Sequence, residues 1–253
     1  MLSFRPDKAI PPAQQSDSTF QARFKRAGEL AQDEHLARYY RDTLPLIEEL
    51  HELRLEDAEL VSLDLETTGL NAEVDDILSI GLVHMNSQAI RYGTRKQWLL
   101  KPVAKLRADS ISIHGITHSE VEQAPDLLEV LPEFLDELAG KIVLVHCASI
   151  EESFLDVAIR YRLGEGFLFP TLDTMGLARR IAKSETGGFF RLFRKSSTSH
   201  SLRLADQRNL YGLPFYPPHE AVTDALATGE LLLAMIQKQE LGHESVSELL
   251  KLR

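Results

Sequence analysis

Apolar and polar residues alternate with a period of two in the stretch ELVSLDLETTGLN, residues 59–71. Such alternation is typical of a half-buried strand, because successive side chains of a strand point to opposite faces. The valine and the leucines share one face, which leaves Asp64 and Glu66 side by side on the other. Two close carboxylates repel each other, and burying them costs several kcal/mol each unless a cation compensates. The pattern fits either an edge strand with a solvated acidic face or a site for a hard metal ion.

The rest of the chain predicts an α/β fold with a mixed sheet of about five strands flanked by helices. Residues 76–85 and 88–100 are strand-like runs joined by the turn-prone pair Asn86-Ser87, which indicates a hairpin. A short apolar run at 141–146 predicts a further strand. Helical patterns are found at residues 126–138, 150–162, 174–183, 201–211 and 219–239.

The N-terminal part has a different pattern. Residues 1–18 are polar and contain prolines, which predicts a disordered or loosely attached arm. Residues 20–55 predict two helices, with Pro45 at the start of the second, and favour a packing or partner-binding extension. The predicted units are an N-terminal arm and helical extension at 1–57, a main domain at 58–240 and a C-terminal tail at 241–253.

Composition narrows the class of protein. The 253 residues are 43% apolar and 26% charged, as in ordinary globular proteins. We expect a cytoplasmic protein without membrane segments, because no apolar stretch approaches the roughly 20 residues that span a bilayer and the N-terminus lacks a signal-peptide core. The single cysteine, Cys147, cannot form an internal disulfide and fits a reducing compartment. The net charge of −10 argues against strong non-specific binding to nucleic acid, but not against binding through a metal and a few local basic residues.

Two more acids occupy positions where an apolar side chain is expected. Glu151 falls inside an apolar helical stripe in HCASIEESFLDVAIRYR, whereas Glu152 lies at its margin. An inward glutamate at a helix start is either a metal ligand or a partner of the helix dipole. Asp224 shares a helix face with apolar residues after Pro217-Pro218, and His219 precedes it at the loop–helix junction. A lone histidine near a helix start is usually structural, but the pairing of His219 with the inward Asp224 makes a catalytic role equally consistent with the pattern.

Four carboxylates and one histidine fit a common chemistry. Clusters of carboxylate oxygens suit Mg²⁺ or Mn²⁺ better than Zn²⁺, which prefers cysteine and histidine ligands. Two such ions about 3.5–4 Å apart recur in enzymes that cleave phosphodiesters. A histidine that titrates near neutral pH can accept the proton of the attacking water.

The motifs resemble those of the DEDD family of 3′–5′ exonucleases, histidine subtype, which includes the proofreading subunit of bacterial replicative DNA polymerase. LDLETTGL matches the D-x-E-T-T-G motif through Asp64 to Gly69, and HEAVTDA matches H-x-x-x-x-D through His219 and Asp224. ISIHGITHSEV, residues 111–121, is similar to a further family segment. The second motif departs: H-N-A-x-F-D is replaced by HCASIE, so that Glu151 stands in place of aspartate. Three outcomes remain open for this glutamate: full activity, weaker binding of the second metal, or a degenerate site.

The resemblance implies a ribonuclease H-like fold and two divalent metal ions, Mg²⁺ or Mn²⁺. It implies that Asp64 bridges both ions, that Glu66 and Asp224 complete one coordination sphere, and that Glu151 helps to position the other. His219 is implied as the general base. The residues implied in substrate binding are Thr67, Thr68, Gly69 and His114.

A basic, aromatic stretch, ARRIAKSETGGFFRLFRKSSTSHSLR at 178–203, is not explained by these motifs. It carries seven basic residues against one acid, with three interleaved phenylalanines. This composition favours a platform for single strands through Arg191, Arg194 and Lys195. The alternative is a solvated loop whose phenylalanines pack in the core or at a subunit interface.

The leading functional hypothesis is a 3′–5′ exonuclease that releases nucleoside monophosphates from single-stranded DNA. One alternative is a catalytically decayed nucleic-acid-binding or polymerase-associated module. Another is an exonuclease that prefers RNA or short oligonucleotides. Expected partners are DNA or RNA 3′ ends and a replication or repair protein bound through the N-terminal extension.

Overall fold

A computed structural model of the chain describes residues 19–103, 116, 118–186 and 201–250. Within this part, five strands form one sheet in the order β3-β2-β1-β4-β5, so the predicted mixed α/β fold is confirmed. β2 is antiparallel to β1 and β3, whereas β4 is parallel to β1 and β5. The strands are β1 Glu59–Thr67, β2 Ile77–Asn86, β3 Lys96–Leu99, β4 Ile142–Val145 and β5 Thr171–Asp173.

Helices flank this sheet in the sequence and pack against it. They are α1 Phe20–Leu30, α2 Glu34–Glu49, α3 His118–Glu122, α4 Leu127–Leu138, α5 Ala148–Leu163, α6 Thr174–Thr186, α7 Leu204–Leu210, α8 Ala221–Gln239 and α9 Val246–Leu249. No helix among the described residues is long and apolar enough to cross a bilayer.

β1 is the central strand, and the interpretation of an edge strand with a solvated acidic face is wrong. Ser62 is fully buried and Glu66 is 4% exposed, although both lie on the polar side of the alternation. The reason is α8, which packs over this side of the sheet: the Ser62 hydroxyl donates a hydrogen bond of 2.7 Å to the carbonyl of Ala225. The acidic face of β1 is therefore turned towards a helix rather than towards solvent.

The predicted hairpin forms, but its second strand is shorter than predicted. The amide of Asn86 donates to the carbonyl of Ala89 at 3.0 Å, and Met85 bridges Ile90. A 3₁₀ turn at Tyr92–Thr94 then interrupts the strand, which resumes only at Lys96. The Thr94 hydroxyl accepts from the amide of His84 and donates to a carbonyl within the turn, so that it replaces strand pairing there.

The two predicted N-terminal helices are present, but the predicted position of Pro45 is wrong. Pro45 lies inside α2, which begins at Glu34. The start is fixed by the Asp33 carboxylate, which accepts hydrogen bonds from the amides of His35 and Leu36. This side-chain cap satisfies amides that would otherwise lack partners, and it outweighs the preference of proline for the first turn.

Both terminal regions pack onto the central sheet domain. Phe24 and Tyr39 are buried in an aromatic cluster that includes Phe167, which precedes β5. At the other end, the amide of Val246 donates to the carbonyl of Leu53 at 2.9 Å. The described residues on either side of positions 57 and 240 thus belong to one hydrophobic core, and the boundaries at these positions stay predictions.

Candidate active site

The acidic face of β1 meets the first turn of α8. Asp64 and Glu66 project from this face, and Asp224 lies in the first turn of the helix that covers it. Asp64 is partly exposed, whereas Glu66 is buried. The pairing of strand and helix therefore brings together acids that are about 160 residues apart in sequence.

Gly81 permits this close approach, and its role was not recognised in the sequence. It pairs with Asp64 in the β1–β2 register. A Cβ atom at this position would lie closer than 3.0 Å to backbone atoms of Ala221 and Val222, a separation that real Cβ atoms essentially never show. An isolated glycine within a strand pattern is the general signal for such close backbone contact.

Three potential ligands converge at the mouth of the site. Glu66, His219 and Asp224 each offer one ligand atom, and these atoms lie within 4.8 Å of one another. His219 is exposed and has a left-handed backbone, with φ of +76°. Its amide donates a hydrogen bond of 2.8 Å to Oδ2 of Asp224, which holds the histidine backbone against the acid.

Glu151 approaches the same region from the start of α5. It is 3% exposed, and its Oε2 is a buried atom without a hydrogen-bond partner. The turn before α5 is fixed by Asp173, which accepts from the amides of Cys147 and Met175, each at 2.9 Å. Cys147 has φ of +88° in this turn. Sequence reasoning did not identify Asp173, because nothing in its local pattern indicates a partner 26 residues away.

The carboxylates are electrostatically coupled. Burial and the charges of Glu151, Asp224 and Glu66 hold the pKa of Asp64 well above its usual range. Burial, followed by the charges of Asp173 and Glu152, raises the pKa of Glu151. The charges of Glu151, Asp224 and Glu66 therefore all oppose the ionisation of Asp64.

Asp224 shows the same effect, together with contributions that oppose it. Burial and the charge of Glu66 raise its pKa, whereas the hydrogen bond from the His219 amide lowers it. A cluster of carboxylate oxygens, of which Glu151 Oε2 is buried without a hydrogen-bond partner, fits the ligand preference of a hard divalent cation. The cation would supply the positive charge that the ionised cluster needs.

Metal binding is expected to release protons. Because the folded-state pKa values of Asp64, Glu151 and Asp224 are raised, the metal-free site keeps protons that the unfolded chain has already lost. Mn²⁺ requires the ionised carboxylates, so its affinity should rise as the pH increases above the ordinary pKa range of carboxyl groups. Calorimetric titration in two buffers of different ionisation enthalpy measures the released protons. An affinity that is constant over this increase in pH, without proton release, would contradict the raised pKa values.

Thr67, Thr68 and Gly69 form an ordered turn at the end of β1. The Thr67 hydroxyl donates to the carbonyl of Gly69 at 2.6 Å. The Thr68 hydroxyl accepts from the amide of Asp76 at 2.9 Å. Gly69 does not have a left-handed backbone, and a Cβ atom there would collide with the carboxylate of Asp75.

The other predicted substrate-binding residues cannot be placed relative to this turn. His114, Arg191, Arg194 and Lys195 lie outside the described residues.

Comparison with known proteins agrees with the motifs. The exonuclease family model RNase T matches residues 61–232. The DNA polymerase III PolC-type protein of Thermotoga petrophila is 32% identical over 216 residues, which are 84% of this chain and 14% of the relative. The corresponding protein of Staphylococcus aureus is 29% identical over 203 residues, 79% of this chain and 13% of the relative. The chain thus spans about a seventh of the length of these relatives.

Solved structures show the same fold at low sequence identity. Exonuclease X in complex with 5′ overhanging duplex DNA has a TM-score of 0.57 and 20% identity, and the match covers 76% of this chain and 99% of that one. The nuclease domain of 3′hExo, a DEDDh family member bound to rAMP, has a TM-score of 0.52 and 20% identity, with 72% and 92% covered. The E. coli ExoI–ssDNA complex has a TM-score of 0.58 and 14% identity, with 72% and 41% covered.

The family model covers the strands and helices that carry Asp64, Glu66, Glu151 and Asp224. This match extends over more than half of the chain, and the polymerase relatives align over most of it. The resemblance predicted from the sequence motifs is thereby confirmed, and the chain belongs to the RNase T exonuclease family, with the motifs of its DEDDh members.

Proposed function

We propose that the protein is a metal-dependent 3′–5′ exonuclease that releases nucleoside monophosphates from the 3′ end of single-stranded DNA. The observation that carries the proposal is the convergence of Glu66, His219 and Asp224 within 4.8 Å, beside the coupled acids Asp64 and Glu151. A structural cluster has no need for five such groups in one place. Membership of the exonuclease family gives the chemistry that they serve.

The roles of the side chains follow from their positions. Asp64, Glu66, Asp224 and Glu151 would hold two divalent ions, Mg²⁺ or Mn²⁺. When bound, these ions supply positive charge to the phosphodiester and to the charge that develops on its oxygens. His219 is exposed at the mouth, where its imidazole can accept the proton of the attacking water. Thr67, Thr68 and Gly69 border the site at the end of β1 and would contact the terminal nucleotide.

The proposed substrate is DNA because the aligned relatives are DNA polymerases. Structures with the same fold include complexes with overhanging duplex DNA, with single-stranded DNA and with rAMP, so a preference for RNA or short oligonucleotides is the principal alternative within the enzyme class. The decayed binding module is disfavoured by the retained acids and by His219. We propose the N-terminal helices as the place where a replication or repair partner docks.

The test is hydrolysis of 3′- and 5′-labelled single-stranded DNA and RNA, and of duplex DNA, in Mg²⁺, Mn²⁺ or chelator. The expected result is metal-dependent release of mononucleotides from the 3′ label, fastest on single-stranded DNA and absent in an Asp64→Ala control. Faster release from RNA would reassign the substrate. No release from any substrate would contradict the proposal and favour the decayed module.

Glu151 is expected to tolerate a shorter acid better than a neutral side chain of its own length. Glu151→Gln removes the charge from a buried position, so we expect the turnover number kcat to fall at least about 100-fold, or about 2.7 kcal/mol of transition-state stabilisation. Glu151→Asp keeps the charge and shortens the reach, and its kcat should fall about tenfold or less. A larger loss of kcat in Glu151→Asp than in Glu151→Gln would show that length, rather than charge, determines the role of Glu151.

The basic stretch is expected to affect substrate binding rather than chemistry. Replacing Arg191, Arg194 and Lys195 with alanine removes three positive charges that can contact phosphates. The Michaelis constant KM for single-stranded DNA should rise about tenfold at low salt, and less at higher salt, while kcat stays within about twofold. An unchanged KM at both salt concentrations would exclude this stretch as a binding platform.

A further inference from the structure

Arg208 in α7 connects α8 to the segment that precedes it. The side chain is 5% exposed, and it donates to the carbonyl of Ala227 at 2.6 Å and to Glu230 Oε2 at 2.8 Å. A further hydrogen bond of 2.9 Å reaches the carbonyl of Pro214. The guanidinium carbon lies 4.6 Å from the ring centroid of Tyr216.

Tyr216 completes this set of contacts, which we call the Arg208 clamp: Arg208, Pro214, Tyr216, Ala227 and Glu230. The Tyr216 hydroxyl donates to Glu230 Oε1 at 2.9 Å, so one carboxylate binds both the arginine and the tyrosine. Phe215, between the two clamped residues, is 77% exposed, so the segment is not held by burial at that point. The clamp therefore provides polar anchoring where apolar packing is weak.

The clamped segment leads directly to the proposed general base. Only Pro217 and Pro218 separate Tyr216 from His219, and proline rings fix the backbone φ angle. The position of Tyr216 is consequently transmitted to His219 through a short, stiff connection. At its far end the same segment is held by the hydrogen bond from the His219 amide to Asp224.

We propose that Arg208 is a positioning residue that fixes the location of His219 through the planar fork of its guanidinium. The inference rests on the proposed function, in which His219 accepts a proton. Arg208 does not touch the reacting atoms in this proposal. Its effect passes through Pro214 and Tyr216.

Arg208→Lys separates the effect of the planar guanidinium from that of the charge, because lysine keeps the positive charge but cannot make the same set of hydrogen bonds. We expect kcat to fall about tenfold, while KM and the affinity for Mn²⁺ stay within about twofold. Arg162→Lys is the matched control. Arg162 is also largely buried and binds Asp126 and the carbonyl of Ala158, but it lies at the opposite end of α5 from Glu151. Its kcat should remain within about twofold of the parent.

A double-mutant cycle separates positioning from a general structural effect. If Arg208 acts through His219, Arg208→Lys should reduce kcat by less than about twofold in a His219→Ala background. A tenfold reduction in both backgrounds would overturn the inference, as would an equal loss in Arg162→Lys.

Hydrogen exchange provides a readout that does not depend on activity. Amides in a peptide covering residues 212–220 should exchange at least about tenfold faster in Arg208→Lys than in Arg162→Lys. If the parent protein is active but exchange is the same in Arg208→Lys and Arg162→Lys, only the inference about the Arg208 clamp is contradicted. An inactive parent would instead contradict the proposed function, and exchange would still report whether the clamp holds the segment.

Discussion

Replacing Asp64 with asparagine is expected to reduce kcat at least about 10³-fold, the largest effect of any single substitution in the site. Asp64 is the acid whose ionisation is opposed by the charges of all three of the others. Asparagine has nearly the same shape and can still accept a hydrogen bond, but it carries no charge. The fall in kcat therefore measures the effect of removing the charge of Asp64, because the substitution leaves no cavity.

Single-turnover hydrolysis of 3′-labelled single-stranded DNA measures this loss, and fluorescence anisotropy measures DNA binding in parallel. The affinity for DNA should change by less than about threefold in the absence of metal, since phosphate contacts depend on basic residues. A matched control is Asp126→Asn, which removes an acid that pairs with Arg162 away from the cluster. An Asp64→Asn protein with more than a tenth of the parental kcat would contradict the central role of this carboxylate.

Gly81→Ala is expected to have the second-largest effect, although Gly81 carries no functional group. The added methyl group would collide with backbone atoms of Ala221 and Val222, so α8 must move away from β2. Overpacking of this kind costs about 1–3 kcal/mol or more of the free energy of unfolding. Because α8 carries Asp224, a shift of about 1 Å is sufficient to reduce kcat about 100-fold.

Gly229→Ala provides the comparison, because Gly229 lies in α8, the helix that Gly81 contacts. A Cβ atom there would meet the ends of two flexible side chains, Met85 Sδ at 3.0 Å and Ile90 Cδ1 at 3.1 Å. Alanine also favours the helix by up to about 1 kcal/mol relative to glycine. Denaturant unfolding and kcat should both stay near the parental values for this variant. Equal behaviour of the two alanine variants would exclude the close strand–helix contact as the determinant of site geometry.

Local patterns in the sequence were sufficient for the elements and for the inward acids. The period-two alternation placed Asp64 and Glu66 on one face, and the helical stripe distinguished Glu151 from Glu152. Glu151 is indeed the buried residue of that pair, whereas Glu152 is partly exposed. Periodicity carries this information because it reports which side of an element faces other atoms.

Long-range contacts could not be predicted in this way. The alternation did not show that α8 covers the acidic face of β1, because that depends on packing between residues that are far apart in the chain. The same limit applies to Gly81, Asp173 and Arg208, whose partners lie in other elements. The prediction that Pro45 begins the second helix was wrong for a local reason: the Asp33 cap fixes the start of α2 well before Pro45.

The central claim is that the acids oppose one another until a divalent cation binds among them. A carboxyl group whose folded-state pKa is raised destabilises the fold at any pH above its unfolded-state pKa, and this cost disappears as the pH falls. In the metal-free parent this cost grows as the pH rises above the unfolded-state pKa, until the pH passes the folded-state pKa. Removing the charge of Asp64 should therefore stabilise the metal-free fold while it removes the response to metal.

Thermal unfolding of the parent and of Asp64→Asn, each in chelator and in Mn²⁺ at about pH 7.5, tests this claim most directly. In chelator the variant should unfold at a higher temperature than the parent. For a chain of this size, each 1 kcal/mol of added free energy of unfolding raises the unfolding temperature by about 2–4 °C. Mn²⁺ should raise the unfolding temperature of the parent and leave that of the variant nearly unchanged. A variant that is less stable than the parent in chelator, and that Mn²⁺ stabilises equally, would contradict the account.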